Sequence, residues 1–160
     1  MLNTDIGSNQ AEAYSPVSYA DDYHQKRGNN AWALLDLDKK EAALRNATDY
    51  LTIIYSARWR GERVDDNQAL DWPRRLFADS DAGILELPTA LLNANASLAL
   101  RAATGPLIDD LDAEVIEETI GPITTKYAPG AARQKSYPEI NGMLAPLLMP
   151  KSNVFIKVYR

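Results

Sequence analysis

The chain has 160 residues, 46% hydrophobic and 24% charged, the make-up of one globular domain with its own core. It has no cysteine and one histidine, which excludes disulfide frameworks, thiolate nucleophiles and His-rich or thiolate metal centres. The net charge of -5 repels a polyanion on average, and neither a leader pattern nor a bilayer-length apolar run occurs. The expectation is a soluble cytosolic or particle-bound protein with no membrane partner.

Met1 to Pro16 is polar and lacks apolar periodicity, so residues 1–16 are expected to form a flexible arm that orders only against a partner. Ser18 with Asp21 three positions on predicts a capped short helix with Ala20 and Tyr23 inward, ended by Gly28. Ala31 to Leu35 has room for one further turn. Asp38, with Glu41 reaching back, predicts the start of a long helix to about Ala57 with Leu44, Ala47, Leu51 and Ile54 on one face. Gly61 to Leu87 carries turn residues throughout and reads as a contact loop.

Pro88 and Gly105-Pro106 bound a second long helix, in which Leu91, Leu98 and Ala102 form one stripe. Ala96, Ala99 and Ala103 form a small-residue strip on it, suited to a core neighbour or another subunit. Two β-prone runs around Gly121-Pro122 predict a hairpin over about 114–127. A capping box at Ser136 predicts a last helix carrying Ile140, Leu144 and Leu147, stopped by Pro146. Val154, Phe155, Ile156, Lys157, Val158 and Tyr159 are β-prone with apolar groups on both faces, so this strand needs a partner. The fold class is therefore mainly α: a small helical bundle over residues 17–149 with one β-hairpin, followed by an extended β-prone tail over residues 150–160.

Chemistry is sparse. His24 has no G-x-S-x-G elbow to work with and reads as a surface residue on the first helix. The acidic run from Asp109 to Glu114 reads as a solvated turn, because Val115 stands where a calcium loop needs glycine. No glycine-rich phosphate loop occurs. No enzyme activity, catalytic residue, cofactor or metal is expected. The one constellation with nucleic-acid character is Arg58, Trp59, Arg60, Arg63, Trp72, Arg74 and Arg75, whose cations and indoles suit phosphates and bases. The stronger reading buries both indoles and leaves the arginines to cap helices or pair with Asp65, Asp66 and Asp71, or uses these residues at a subunit interface.

The segments Lys39–Leu44, Ala47–Leu51, Trp59-Arg60-Gly61-Glu62-Arg63 and Gln68-Ala69-Leu70-Asp71-Trp72-Pro73-Arg74 resemble a family of small tailed-phage proteins labelled DnaT-like single-strand-binding proteins. The match continues through Leu98–Ala102, Glu118–Ile123, Pro138–Asn141 and Leu144–Leu148, so it covers about Ser18 to Met149. The helices-plus-hairpin pattern looks like head-to-tail connectors of the phage neck. That resemblance implies a dodecameric ring below the portal protein, in the virion neck after assembly in the host cytoplasm, with double-stranded genome passing through unread. The arm before Ser15 and the tail after Pro150 depart from the family pattern, and the β-prone make-up of the tail carries a separate expectation, that it binds the portal by strand addition. Trp59, Arg60, Arg63, Trp72, Arg74 and the Gly121-Pro122 hairpin are expected at subunit contacts or against a tail terminator or second neck protein. The alternative is an accessory protein that binds single-stranded DNA.

Overall fold

The computed structural model describes residues 1–75, 86–108, 117–120, 123–126 and 135–150, with the stretches 117–120 and 123–126 described by their backbone. It is mainly helical with a small antiparallel hairpin, as the apolar periodicity predicts. In chain order come α1 (Val17–Gln25), α2 (Asn30–Ala33), α3 (Leu37–Tyr55) and a 3-10 turn (Ser56–Arg58). Two-residue strands β1 (Glu62–Arg63) and β2 (Arg74–Arg75) follow, then α4 (Thr89–Ala102), β3 (Glu117–Ile120), β4 (Ile123–Lys126), α5 (Pro138–Leu144) and a final 3-10 turn (Ala145–Leu147). β3 and β4 pair antiparallel, with Ile120 opposite Ile123.

α4 is the axis, with α1, α3 and α5 all packed around it. Its composition explains the place: Leu91, Ala94, Ala96, Leu98 and Ala99 are fully buried, and the alanines let three neighbours approach the backbone. Ala96 and Ala99 of the small-residue strip therefore serve the chain's own core, while Ala103 is exposed. α3 buries Leu44, Ala47, Tyr50, Leu51 and Tyr55 on one side, which is the amphipathic face its spacing predicts.

Caps differ from their sequence signatures wherever a tertiary partner competes. α3 is capped two residues earlier than expected, by Asp36 in place of Asp38, because the Asp36 carboxylate accepts from the Lys39 N–H at 2.8 Å. Glu41 does not reach back; it is buried, with Arg45 at 3.5 Å. At α1 the Ser18 box does not form, since Asp21 instead takes the indole N–H of Trp32 at 2.7 Å and Lys40 at 2.9 Å. The Ser136 box is likewise replaced: α5 starts at Pro138, and Glu139 pairs with Arg101 of α4. Gly28 does adopt the left-handed conformation, φ +67°, that closes the turn after α1.

The first sixteen residues order against the chain itself, which corrects the expectation of a flexible arm. Ala13, Tyr14 and Ser15 are buried. Ser15 donates through Oγ to Asn95 Oδ1 at 2.6 Å and through its backbone N–H at 3.2 Å. Glu12 pairs with Arg45 at 3.0 Å, and that guanidinium holds the Glu12 carboxyl below its ordinary pKa. Further out, the Ser8 carbonyl accepts from the Ala69 N–H at 3.0 Å. The segment reads as polar because only Ala13 and Tyr14 supply its buried apolar side chains, while Met1 and Ile6 stay exposed.

His24 is also corrected: it is 1% exposed, not a surface residue. Its Nε2 lies 2.9 Å from the Ala96 carbonyl, which only accepts, so Nε2 carries the proton and Nδ1 accepts from the Asn29 amide at 3.0 Å. The ring packs against Trp32 and Tyr23. Burial is the first cause that lowers its pKa, Arg27 and Lys40 add to it, and Asp21 and the Ala96 carbonyl oppose it. The unfolded chain therefore takes up the proton first. Stabilisation is complete above the free imidazole value of about 6.5 and is lost as pH falls below it. We expect thermal melts to lose midpoint as pH falls below about 6.5, and a His24→Gln variant to show a flatter slope there. Equal slopes would remove His24 from the account.

Candidate functional site

The Arg/Trp constellation lies where the chain folds back after α3. Trp59 follows the 3-10 turn and pairs its backbone with Leu148, while β1 pairs antiparallel with β2, Arg63 opposite Arg74. The contact loop expected over Gly61 to Leu87 is thus a packed return as far as Arg75, and residues 76–85 lie outside the described residues. Trp59 and Trp72 are each 2% exposed, their rings edge to face at 5.8 Å. Tyr55 continues the stack on Trp59 at 5.7 Å, and Tyr50 joins Tyr55 to Tyr137. Burial pushes the Tyr50 phenol up to about 12, so it stays neutral.

The polar atoms of the site hold the return together. Asp71 accepts from Trp59 Nε1 and from Ser56 Oγ, each at 3.1 Å. Gln68, buried, donates to the carbonyls of Leu70 and Pro73 and accepts from the Asp65 N–H. Arg74 donates to the carbonyls of Arg60 at 2.9 Å and Asp71 at 3.3 Å, and also to Gly61. Arg63 donates to the Gln68 carbonyl, and Arg60 reaches the Pro146 carbonyl at 3.4 Å. Arg60, Arg63 and Arg74 therefore bind backbone carbonyls rather than the carboxylates of Asp65, Asp66 and Asp71 suggested by the sequence. Partial burial lowers the Arg74 pKa, against the pull of Asp71. An Arg74→Ala variant should lose about 1–3 kcal/mol, because it orphans carbonyls on both sides of the return. An Arg74→Lys variant, without the planar fork, should recover less than half of that loss in urea melts.

This geometry decides what the site can do. An indole whose faces lie inside the protein cannot serve as a stacking platform for a base, and a guanidinium committed to its own backbone has fewer donors for phosphate. Arg60, Arg63 and Arg75 do keep exposed surface. Among the described residues no group of three or more His, Asp or Glu side chains is placed to hold a metal. Gly121 and Pro122, and all of Val154 to Tyr159, lie outside the described residues, as does the acidic run from Asp109 to Glu114.

Sequence reasoning named Asp71 only as an arginine partner and Gln68 only within the family motif, not as the two polar side chains that organise the return, and it missed a groove of about 440 Å³ on the far side of α3. The groove is lined by Asn46, Asp49, Tyr50 and Ile53 from α3 and by Pro106 and Leu107 from the segment after α4. Its signal was Ile53, an isoleucine one residue off the predicted buried stripe and 65% exposed.

Fold and site together define a small α-helical packing module whose aromatic cluster is structural. The chain belongs to the family described as "Putative DnaT-like ssDNA binding protein", whose model matches residues 1–160. No curated protein and no solved structure matches it.

Proposed function

We propose that this chain is a structural protein of the tailed-phage neck, an adaptor that closes into a ring between the portal and the next neck or tail component. The observation that carries the reading is the inward placement of Trp59 and Trp72 with their arginines tied to backbone carbonyls. That removes the stacking platform of a strand binder and leaves a body suited to protein contacts. Leu34 and Leu37 stand 87% and 59% exposed, apolar surface of the kind subunit interfaces cover. A net charge of -5 suits a channel wall past which DNA must slide. In this reading the segment Val154 to Tyr159 adds to a portal sheet edge, and the Gly121-Pro122 hairpin meets the component below.

The family description favours a second reading more directly: an accessory protein that binds single-stranded DNA. It would rely on the exposed Arg60, Arg63 and Arg75 and on phosphate contacts rather than stacking. Two measurements separate the readings. Quantitative mass spectrometry of purified virions should find this chain at a fixed ratio close to that of the portal protein. Oligonucleotide titrations should show no salt-dependent binding. Absence from particles, together with an affinity that falls steeply with salt and is lost in Arg60→Ala/Arg63→Ala, would establish the second reading and end the first.

A further inference from the structure

We infer that the groove between α3 and the segment after α4 is a docking site for the chain's own C-terminal segment, residues 151–160. The groove is apolar along Tyr50, Ile53, Pro106 and Leu107, and the charge on its wall is the carboxylate of Asp49. The segment has the complementary make-up: Val154, Phe155, Ile156, Val158 and Tyr159 for the apolar floor, and Lys151, Lys157 and Arg160 with no acidic side chain. Such a segment left in water is an aggregation template, so an internal seat for it has a physical rationale.

Reach selects the chain's own groove. The Met149 N–H donates to the Arg58 carbonyl at 2.8 Å, so the segment starts at the C-terminal end of α3. From Arg58 back to Asn46 is about 18 Å at the helical rise. Ten residues of extended chain span at most about 33 Å, which covers that distance with slack. Because the segment's start is already tethered beside Arg58, docking within one molecule is favoured over capture of a neighbour's segment by the effective concentration of a short link. In the neck reading a portal edge would displace the segment from this seat, but the seat itself does not depend on that reading.

The absence of cysteine makes the test direct. A chain carrying Ile53→Cys and Phe155→Cys, oxidised with diamide at low protein concentration, should form a disulfide within one molecule, seen as a faster band on a non-reducing gel. The control pair Leu34→Cys and Phe155→Cys should not. In the wild-type chain, amides of residues 154–159 should exchange slowly. The double variant Ile53→Lys/Asp49→Lys, which alters groove-wall positions while leaving the core stripe intact, should speed their exchange about tenfold or more. Disulfides formed only between chains would assign the groove to a second copy and overturn the inference. Unprotected amides in the wild type, or protection unchanged in the lysine variant, would overturn it too.

Discussion

Trp59→Ala is expected to lower the unfolding free energy by about 3–5 kcal/mol, the range for truncating a fully buried aromatic side chain. The indole sits between Tyr55 and Trp72 with almost none of its surface in water. A tryptophan buries some 150–250 Å², and the space it leaves is ringed by large side chains that cannot close in together. The loss is not only packing. Asp71 would keep Ser56 but lose the Trp59 N–H, and the backbone pairing of Trp59 with Leu148 would lose the side chain that fixes it. The return from Arg60 to Arg75 and the last 3-10 turn share this anchor, so hydrogen exchange should accelerate in both before it does in α4. A urea melt showing a loss under about 1 kcal/mol would mean the aromatic cluster does not carry the fold as described.

Asn95→Ala should cost roughly 3 kcal/mol despite removing only a small polar side chain. Asn95 is fully buried on α4, where its Oδ1 accepts both the Ser15 N–H and hydroxyl, while its Nδ2 donates to Thr48 Oγ1 at 2.9 Å and lies 3.4 Å from the Leu44 carbonyl. One amide thereby ties the N-terminal segment, α3 and α4. Truncation leaves the Ser15 donors in a dry place with no acceptor, whereas Thr48 keeps its bond to the Leu44 carbonyl at 2.9 Å. The effect should therefore fall on the N-terminal side: proteolysis between Met1 and Ser15 should precede global unfolding. A double-mutant cycle with Ser15→Ala should give a coupling of about 1–2 kcal/mol, and a coupling near zero would show the two side chains acting independently.

How much of this was legible in advance depended on the range of the forces involved. The Trp59 and Trp72 motifs mark the site in the sequence, and their composition favours burial. Which atoms they would meet was not legible, because Asp71, Gln68 and Leu148 are brought there by a reversal of the chain. The same holds for His24, whose partners Asn29 and Ala96 belong to a local turn and to a helix 72 residues away. A sequence shows a lone histidine on a short helix; only α4 packed against it shows why it stays neutral. The groove was visible in the sequence as one isoleucine out of phase with its stripe.

By itself the sequence determined the helical class, the spans of α3, α4 and α5 to within a few residues, and the pairing of β3 with β4. These depend on apolar spacing, on Pro88 and Pro138 at helix starts and on Gly105-Pro106 beyond a helix end, all acting within a few residues along the chain. The tertiary structure alone decided which of several acidic side chains capped a helix and which held a distant indole, whether the first sixteen residues had a place to lie, and which way the indoles faced. Each of these was a competition between a local hydrogen bond and a buried partner far along the chain. Burial settled it, because a polar group left unpaired inside costs more than a cap left unmade at the surface.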